Sequence, residues 1–564
     1  MQKNLIIVLL FFTQFTIGQN PYPQDYFHNP LEIPLILAGT FAELRSNHFH
    51  SGLDIKTQHR EGLKVIAAAK GYVSRIKISH WGYGKALYIT HPNGYTTVYA
   101  HLKKFSPKIE AYVKKAQYEK ETFEIELFPK TQELLIDSDE IVAFTGNTGG
   151  SSGPHLHFEI RDKNERPINP MLFGIDIKDT KRPIILSVFA YPIDDDSHIN
   201  RTNEKTKLRL IPQANGNYTV EKIKAFGKIG FGINTYDRQD LAANKNGVSN
   251  IQTFFNGKEN FEIDFKRFSF NETKHLNRLI DFEYFSKKKS RIQKLFVQKN
   301  NPLSMYKNVD ENGYLKIADS TSSIYKVRVK DYKGNETWLT IPIIGKKLDS
   351  ISPKHIETTD YFIYADQVTN LKDKNVSVYF PSNTFYDNFF IDFKVNSDTL
   401  TLHKSTVSAQ KYFTINYDIS NYSEADKDKL FIARLVGFYK NYLAYTATTK
   451  KGNILSARTK TLGTYVLGVD TIDPIIKPVN FQKGKWLSKY RYLKIKIEDT
   501  ISGINNYRAT VNGKWILMEY DAKKKILTYD FNDNKITDTK NNLKIIVTDN
   551  VGNSSTFETI FFRK

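Results

Sequence analysis

Two short stretches carry residue types suited to metal chemistry. One is His50-Ser51-Gly52-Leu53-Asp54, the other His155-Leu156-His157-Phe158-Glu159. Imidazole nitrogen and carboxylate oxygen are ligands that Zn²⁺ accepts, and a hydrolytic zinc site needs three of them plus one open position for water. On a β-strand, side chains two residues apart share a face, so His155 and His157 can reach one cavity. Three ligands of about −1 total charge would leave the ion positive, able to acidify bound water and polarise a carbonyl. No His-Glu-x-x-His helix supplies a carboxylate base. Proton transfer would then fall to further histidines, whose ordinary pKa lies near neutrality.

Nine of the 13 histidines lie between His28 and His157, so the chemistry concentrates in the first third of the chain. Glycine-punctuated β segments there run over Lys64–Ala69, Tyr72–Ile78, Ala86–Thr90 and Thr96–Leu102. Pro92-Asn93-Gly94 predicts a hairpin between the last two. Ile109, Tyr112, Val113 and Ala116 recur at helical spacing, predicting a short helix between Ser106 and Glu119. Sheet returns over Phe123–Leu127 and Ile141–Thr145.

The surroundings of the two motifs are specific. They are Gly39-Thr40-Phe41 with Arg45 to Asp54, Trp81-Gly82-Tyr83-Gly84, Tyr99-Ala100-His101-Leu102, and Gly146-Asn147-Thr148-Gly149-Gly150 running on to Glu159. Over roughly Gly39 to Gly174 the sequence closely resembles the lysostaphin-type (LytM-like) zinc metalloendopeptidases. That resemblance implies one Zn²⁺ per chain held by His50, Asp54 and His157, with His101 and His155 as the catalytic histidines. It implies a substrate peptide bond in the stem or cross-bridge of bacterial peptidoglycan. Which histidine is base, acid or oxyanion donor is left open. His48 is expected to pack or support rather than ligate. Glu159 is expected either to hold a ligand histidine by its second nitrogen or to pair with Arg161 or Arg166. Two departures from the family pattern stand out. Asp137-Ser138-Asp139-Glu140 occupies a turn where glycine is common, and Lys103 to about Ile136 is longer than the minimal connection. The helix in that insertion is expected to wall the substrate groove.

Beyond about Asp179 the chain alternates apolar and polar residues. Examples are Tyr325, Val327 and Val329; Phe389, Ile391, Phe393 and Val395; and Leu493, Ile495 and Ile497. This is the pattern of sandwiches with one wet face. A long-period repeat links Pro183-Ile184-Ile185, Phe255-Asn256-Gly257-Lys258 and Asp331-Tyr332-Lys333-Gly334-Asn335 with Pro474-Ile475-Ile476, Val511-Asn512-Gly513-Lys514 and Asp549-Asn550-Val551-Gly552-Asn553. These segments resemble bacterial immunoglobulin-like domains. Each closing Asp-x-x-Gly-Asn reads as a hairpin turn before it reads as a Ca²⁺ loop.

The fold expected is mainly β: an N-terminal LytM-like antiparallel peptidase domain, then about three immunoglobulin-like β-sandwiches. The boundaries expected are a signal peptide at 1–18, a metallopeptidase domain at 19–176, and sandwiches at 177–346, 347–468 and 469–564. The signal peptide rests on Lys3, the apolar run Leu5 to Ile17, and small or polar residues at Thr16 and Gly18. The chain would thus be exported to the periplasm, cell envelope or exterior, with no transmembrane segment after cleavage. No cysteine is present to form a disulfide or carry a lipid. A net charge of +21 suits anionic envelope polymers as partners rather than nucleic acid, which an exported chain does not meet. The function expected is an exported zinc endopeptidase acting on peptidoglycan. The alternative, from a different class, is a non-catalytic LytM-like regulator that binds and activates another wall hydrolase.

Overall fold

A computed structural model describes residues 21–437, 439 and 442–564; the expected signal peptide lies outside the described residues. The chain is mainly β, with its first third built around one antiparallel sheet. The strands of this region are β1 (Leu37–Gly39), β2 (Leu53–Lys56), β3 (Lys64–Ile66), β4 (Gly71–Ile78), β5 (Lys85–Thr90), β6 (Thr96–Ala100) and β7 (Leu102–Phe105). After helix α1 (Pro107–Lys120) come β8 (Ile125–Leu127), β9 (Leu135–Ile136), β10 (Ile141–Thr145), β11 (His155–Arg161) and β12 (Pro167–Ile168). The main sheet runs β1-β2-β11-β6-β5-β4-β8, and β3-β10-β7 form a second, smaller sheet.

The register of the main sheet explains how distant motifs meet. Strand β11 is flanked by β2 and β6, with Asp54 opposite His157 on one side and His157 opposite Ala100 on the other. Residues separated by a hundred positions thus stand in one row across three strands, about 5 Å apart. The predicted strand Thr96–Leu102 breaks at His101, whose φ is +58°. That left-handed residue ends β6 and starts β7 in the other sheet, so His101 sits on the corner where the two sheets part. The unusual turn at 137–140 has Asp139 in the left-handed region, with its carboxylate 2.8 Å from His28 Nδ1.

Downstream, strands such as Ile184–Pro192, Ile223–Tyr236, Ser322–Lys330 and Glu336–Gly345 form one large, mostly antiparallel sheet. Its buried apolar residues are continuous with those of the first third, from Phe27 through Ile343. Two five-stranded sheets then enclose a separate core from Ile363 to Tyr465. Two four-stranded sheets enclose another from Phe481 to Phe561. Tyr325, Val327, Val329, Leu493, Ile495 and Ile497 all point inward, as their alternation demands. Among the described residues, no helix is long and apolar enough to cross a membrane, a statement that leaves strand-built barrels untouched.

Candidate metal and catalytic site

All five histidine and aspartate side chains singled out above converge at the end of β11. His50 Nε2, Asp54 Oδ1 and His157 Nδ1 lie 2.9 to 3.1 Å from one another. The other nitrogen of each ring is already engaged. His50 Nδ1 lies 2.7 Å from the carbonyl oxygen of Thr40, and His157 Nε2 lies 2.8 Å from Glu159 Oε1. A carbonyl and a carboxylate only accept, so each ring keeps a proton on that side, and on giving up its other proton to a metal it would turn a lone pair toward Asp54 Oδ1. Three electron-pair donors thus face one point with little solvent around them.

This donor set fits Zn²⁺. Ligand distances of about 2.0–2.2 Å place tetrahedral ligand atoms about 3.4 Å apart, a few tenths of an ångström beyond the spacing seen. The electrostatics agree. Burial works against charge on His157, yet its hydrogen bonds to Asp54 and Glu159 hold its pKa up at about 9. Burial also opposes ionisation of Asp54, but the charge of His50 and the hydrogen bonds from His155, His157 and His50 pull its pKa well below the usual carboxylate range. The cluster therefore favours positive charge at its centre.

His155 and His101 stand apart from the triad. His155 Nδ1 is fixed by Gly153 O at 2.9 Å and Ser151 Oγ at 3.1 Å, while its Nε2 reaches Asp54 Oδ1 at 3.4 Å. His101 Nδ1 lies 2.8 Å from Thr148 O, and the His101 and His155 ring centroids are 4.7 Å apart. Burial pushes the His101 pKa down to about 3, helped by the neighbouring charges of His157 and His155. His101 is therefore neutral near pH 7, with a lone pair on Nε2. His48 is exposed, and its ring Nδ1 lies 2.8 Å from Ser46 O, outside the cluster.

Both alternatives for Glu159 hold together. Its Oε1 accepts from His157 and from Ser51 Oγ at 2.7 Å, and its Oε2 accepts from Arg161 Nε at 2.6 Å. Arg166 instead pairs with Asp162. Thr40, Arg45 and Tyr83 flank the motifs in sequence, and their roles emerge only in the folded site. Tyr83 donates its hydroxyl proton to Glu159 Oε1 and lies with its ring 5.1 Å from His157. Arg45 Nη2 sits 3.1 Å from Asp54 Oδ2. Gly39 makes that pairing possible, since a Cβ there would stand 2.8 Å from Asp54 Oδ2 and collide with the Arg45 guanidinium. The signal for all three lies in contacts across strands, which local spacing does not encode.

A groove of about 550 Å³ opens beside Asp54 and His155, lined also by Ile33, Ile36, Lys56, Gln58, Pro154 and Leu241. Helix α1 does not line it, contrary to expectation. Its Tyr118 hydroxyl donates to Asp533 Oδ2 at 2.9 Å, and the Tyr118 ring meets Trp515 edge-on. Glu110 and Lys114 face a second cleft of about 610 Å³, between the first third and the C-terminal sheets.

The sheet and its donor cluster form a group that could hold a metal ion. Residues 48–118 match Peptidase family M23, so the chain carries an M23 peptidase domain of the LytM-like kind. Residues 360–470 match a Zu5-like domain. The DD-carboxypeptidase/endopeptidase Mpg of Neisseria meningitidis serogroup B is 34% identical over 128 residues, 23% of each chain. The peptidoglycan DD-endopeptidase ShyB of Vibrio cholerae serotype O1 is 28% identical over 156 residues, 28% of this chain and 30% of that one. The chain thus matches less than a third of the length of these curated relatives. Among solved structures, the catalytic domain of lysostaphin from Staphylococcus simulans is 20% identical, covering 28% of this chain and 95% of that one, with a TM-score of 0.17.

Proposed function

We propose that the chain is an exported zinc metalloendopeptidase that hydrolyses peptide bonds in peptidoglycan stems or cross-links. The observation that carries this reading is the convergence of three lone-pair donors, His50 Nε2, Asp54 Oδ1 and His157 Nδ1, with both rings oriented from behind. The similarity to relatives named as peptidoglycan endopeptidases supports the substrate class.

His50, Asp54 and His157 would hold Zn²⁺, which when bound supplies an acidified water and a polarised carbonyl. His101, neutral and fixed through Nδ1 by Thr148 O, offers Nε2 as a proton acceptor. His155, fixed through Nδ1 by Gly153 O, presents Nε2 beside Asp54, where as an imidazolium it would donate its Nε2 proton to an oxygen that gains charge. Arg45 and Glu159 touch no substrate in this scheme and act by orienting Asp54 and His157. The groove past Ile33, Ile36 and Leu241 receives the peptide. We assign the peptidase unit to 19–176 and sandwich units to 177–346, 347–468 and 469–564, the first and last of an immunoglobulin-like kind.

Purified peptidoglycan incubated with native protein and with His155→Ala, followed by mass spectrometry, tests the reaction. New amino termini from the native protein alone are expected. Identical products from both, or none from either at full zinc loading, would refute it.

A further inference from the structure

Away from the zinc site, three aspartates meet where the peptidase unit passes into the next. Asp179 lies on the connecting segment, Asp237 just past strand Ile223–Tyr236, and Asp331 at the turn after strand Ser322–Lys330. One carboxylate oxygen of each lies within 4.8 Å of those of the other two. No lysine or arginine forms a salt bridge with any of them among the described residues; Lys181 donates its backbone N–H to Asp179 Oδ1 at 3.0 Å and its ammonium to Gln239 O. Asp331 is partly satisfied, with Oδ1 accepting from the backbone of Lys333 and Asn335, and Oδ2 from Asn335 Nδ2. Asp237 is different: it is 2% exposed, and its Oδ1 has no hydrogen-bond partner. Two residues on, Gln239 is 3% exposed, and its Oε1 is also without a partner. Buried, unpartnered oxygens cost free energy unless something answers them.

We propose that Asp179, Asp237 and Asp331 form a calcium site at this junction. All three donors are hard oxygens, which select Ca²⁺ or Mg²⁺ over zinc, and no nitrogen or sulfur ligand is offered. Oxygens 2.3–2.6 Å from a Ca²⁺ stand up to about 5 Å apart, which accommodates the observed spread, whereas Mg²⁺ demands a tighter octahedron. The repeat noted in the sequence extends to these residues: Asp179-Thr180-x-x-Pro183-Ile184-Ile185 matches Asp470-Thr471-x-x-Pro474-Ile475-Ile476. Asp470, Asp499 and Asp549 cluster in the same way. There, however, backbone donors from Ile472, Ser502, Ile501, Gly503, Val551 and Asn553 engage the carboxylates of all three. The first cluster is the one with an orphaned carboxylate oxygen.

The site stands at the base of a loop that reaches the peptidase unit. Asp237 and Asn246 close that loop with two backbone hydrogen bonds of 2.9 Å. From it, Asn244 Nδ2 donates to Ala38 O at 3.2 Å, and Leu241 lines the groove beside Asp54. Just beyond, Gly247 N donates to Thr40 Oγ1 at 2.9 Å; Thr40 is the residue whose carbonyl orients His50. Calcium would therefore brace one wall of the groove. The binding itself is independent of the reading of the zinc site.

The test uses the full-length, zinc-loaded chain in an Asp499→Asn background, which silences the second cluster. Bound calcium is counted by equilibrium dialysis with CaCl₂, and unfolding is followed with and without it. Adding Asp237→Asn, which removes a carboxylate ligand, is expected to lower the count by one ion per chain. It is also expected to abolish a calcium-dependent rise in Tm of roughly 2–4 °C. Asp179→Asn, at a more exposed position, should do the same if the Asp237 variant proves poorly folded. An unchanged calcium count in these variants, or a response to MgCl₂ equal to that to CaCl₂, would overturn the proposal.

Discussion

Glu159 Oε1 lies 2.8 Å from His157 Nε2, two residues back on the same strand, while Glu159 Oε2 lies 2.6 Å from Arg161 Nε, two residues on. Period-two alternation puts all three on one face, and the carboxylate is fully buried between the imidazole and the guanidinium it serves. Burial raises its pKa, but the charge of Arg161 and the hydrogen bond from His157 outweigh that and hold it far below the usual range. It therefore acts as a permanent anion behind a metal-binding ring. Glu159→Gln keeps the shape and removes the charge. Zinc affinity, measured against a competing chelator, should fall by about 10- to 100-fold. An unchanged affinity would show that Glu159 serves Arg161 alone.

His101→Ala should retain zinc and lose about 10²- to 10⁴-fold in kcat/KM. Its Nδ1 is fixed by Thr148 O and its ring sits beside those of His155 and His157, but it supplies no atom to the His50–Asp54–His157 group, so metal content separates the two roles. A variant that loses metal and activity together would reassign His101 to the metal.

Lys523, in the C-terminal unit, donates through Nζ to Asn147 O and, at 3.0 Å, to Ser151 O. Those residues lead into β11, and Ser151 Oγ contacts the His155 ring. Lys523→Ala should lower kcat/KM on the order of tenfold, the kinetic equivalent of ~1.4 kcal/mol, with zinc content unchanged. Activity equal to the native protein would mean that this contact is passive.

Asp237 carries a pH signature. Burial, with the charges of Asp179 and Asp331, pushes its pKa from 3.8 up to about 8. A carboxyl whose folded pKa is raised binds its proton more tightly in the folded state. Its contribution to stability is complete below pH 3.8 and is lost as pH rises through about 8. In calcium-free buffer, the Tm difference between native protein and Asp237→Asn should shift against the native protein between pH 5 and 8. Calcium should remove that trend. A difference that stays constant across this range would contradict the assignment.

Much of the site was legible from residue types and spacing. Histidine and aspartate four apart, and two histidines on alternate strand positions, carry their geometry locally, and flanking glycines mark the turns. The strands of the first third were likewise visible in their alternation, as was the hairpin at Pro92-Asn93-Gly94, where β5 pairs with β6. What stayed hidden depends on register between distant strands. Arg45 reaches Asp54 because β1 and β2 pair past Gly39, and Tyr83 reaches Glu159 across 76 positions. The break at His101 was also unreadable, because a left-handed histidine gives no signal in an apolar run. Helix α1 showed its spacing but not its partner: Asp533 and Trp515, which it meets, lie some 400 residues on. The Asp-x-x-Gly-Asn turns form as expected, with Gly334 and Gly552 at φ near +86° and +87°. The two aspartates that gather behind the first of them, Asp179 and Asp237, come from a connecting segment and from the end of a distant strand.

The central claim is that the second motif divides its labour: His157 binds metal and His155 handles protons. Zinc content of purified His157→Ala and His155→Ala, determined side by side by elemental analysis, tests this most directly. The account predicts near-zero zinc in the first and about one ion per chain in the second. Equal loss from both, or loss from His155→Ala alone, would contradict it.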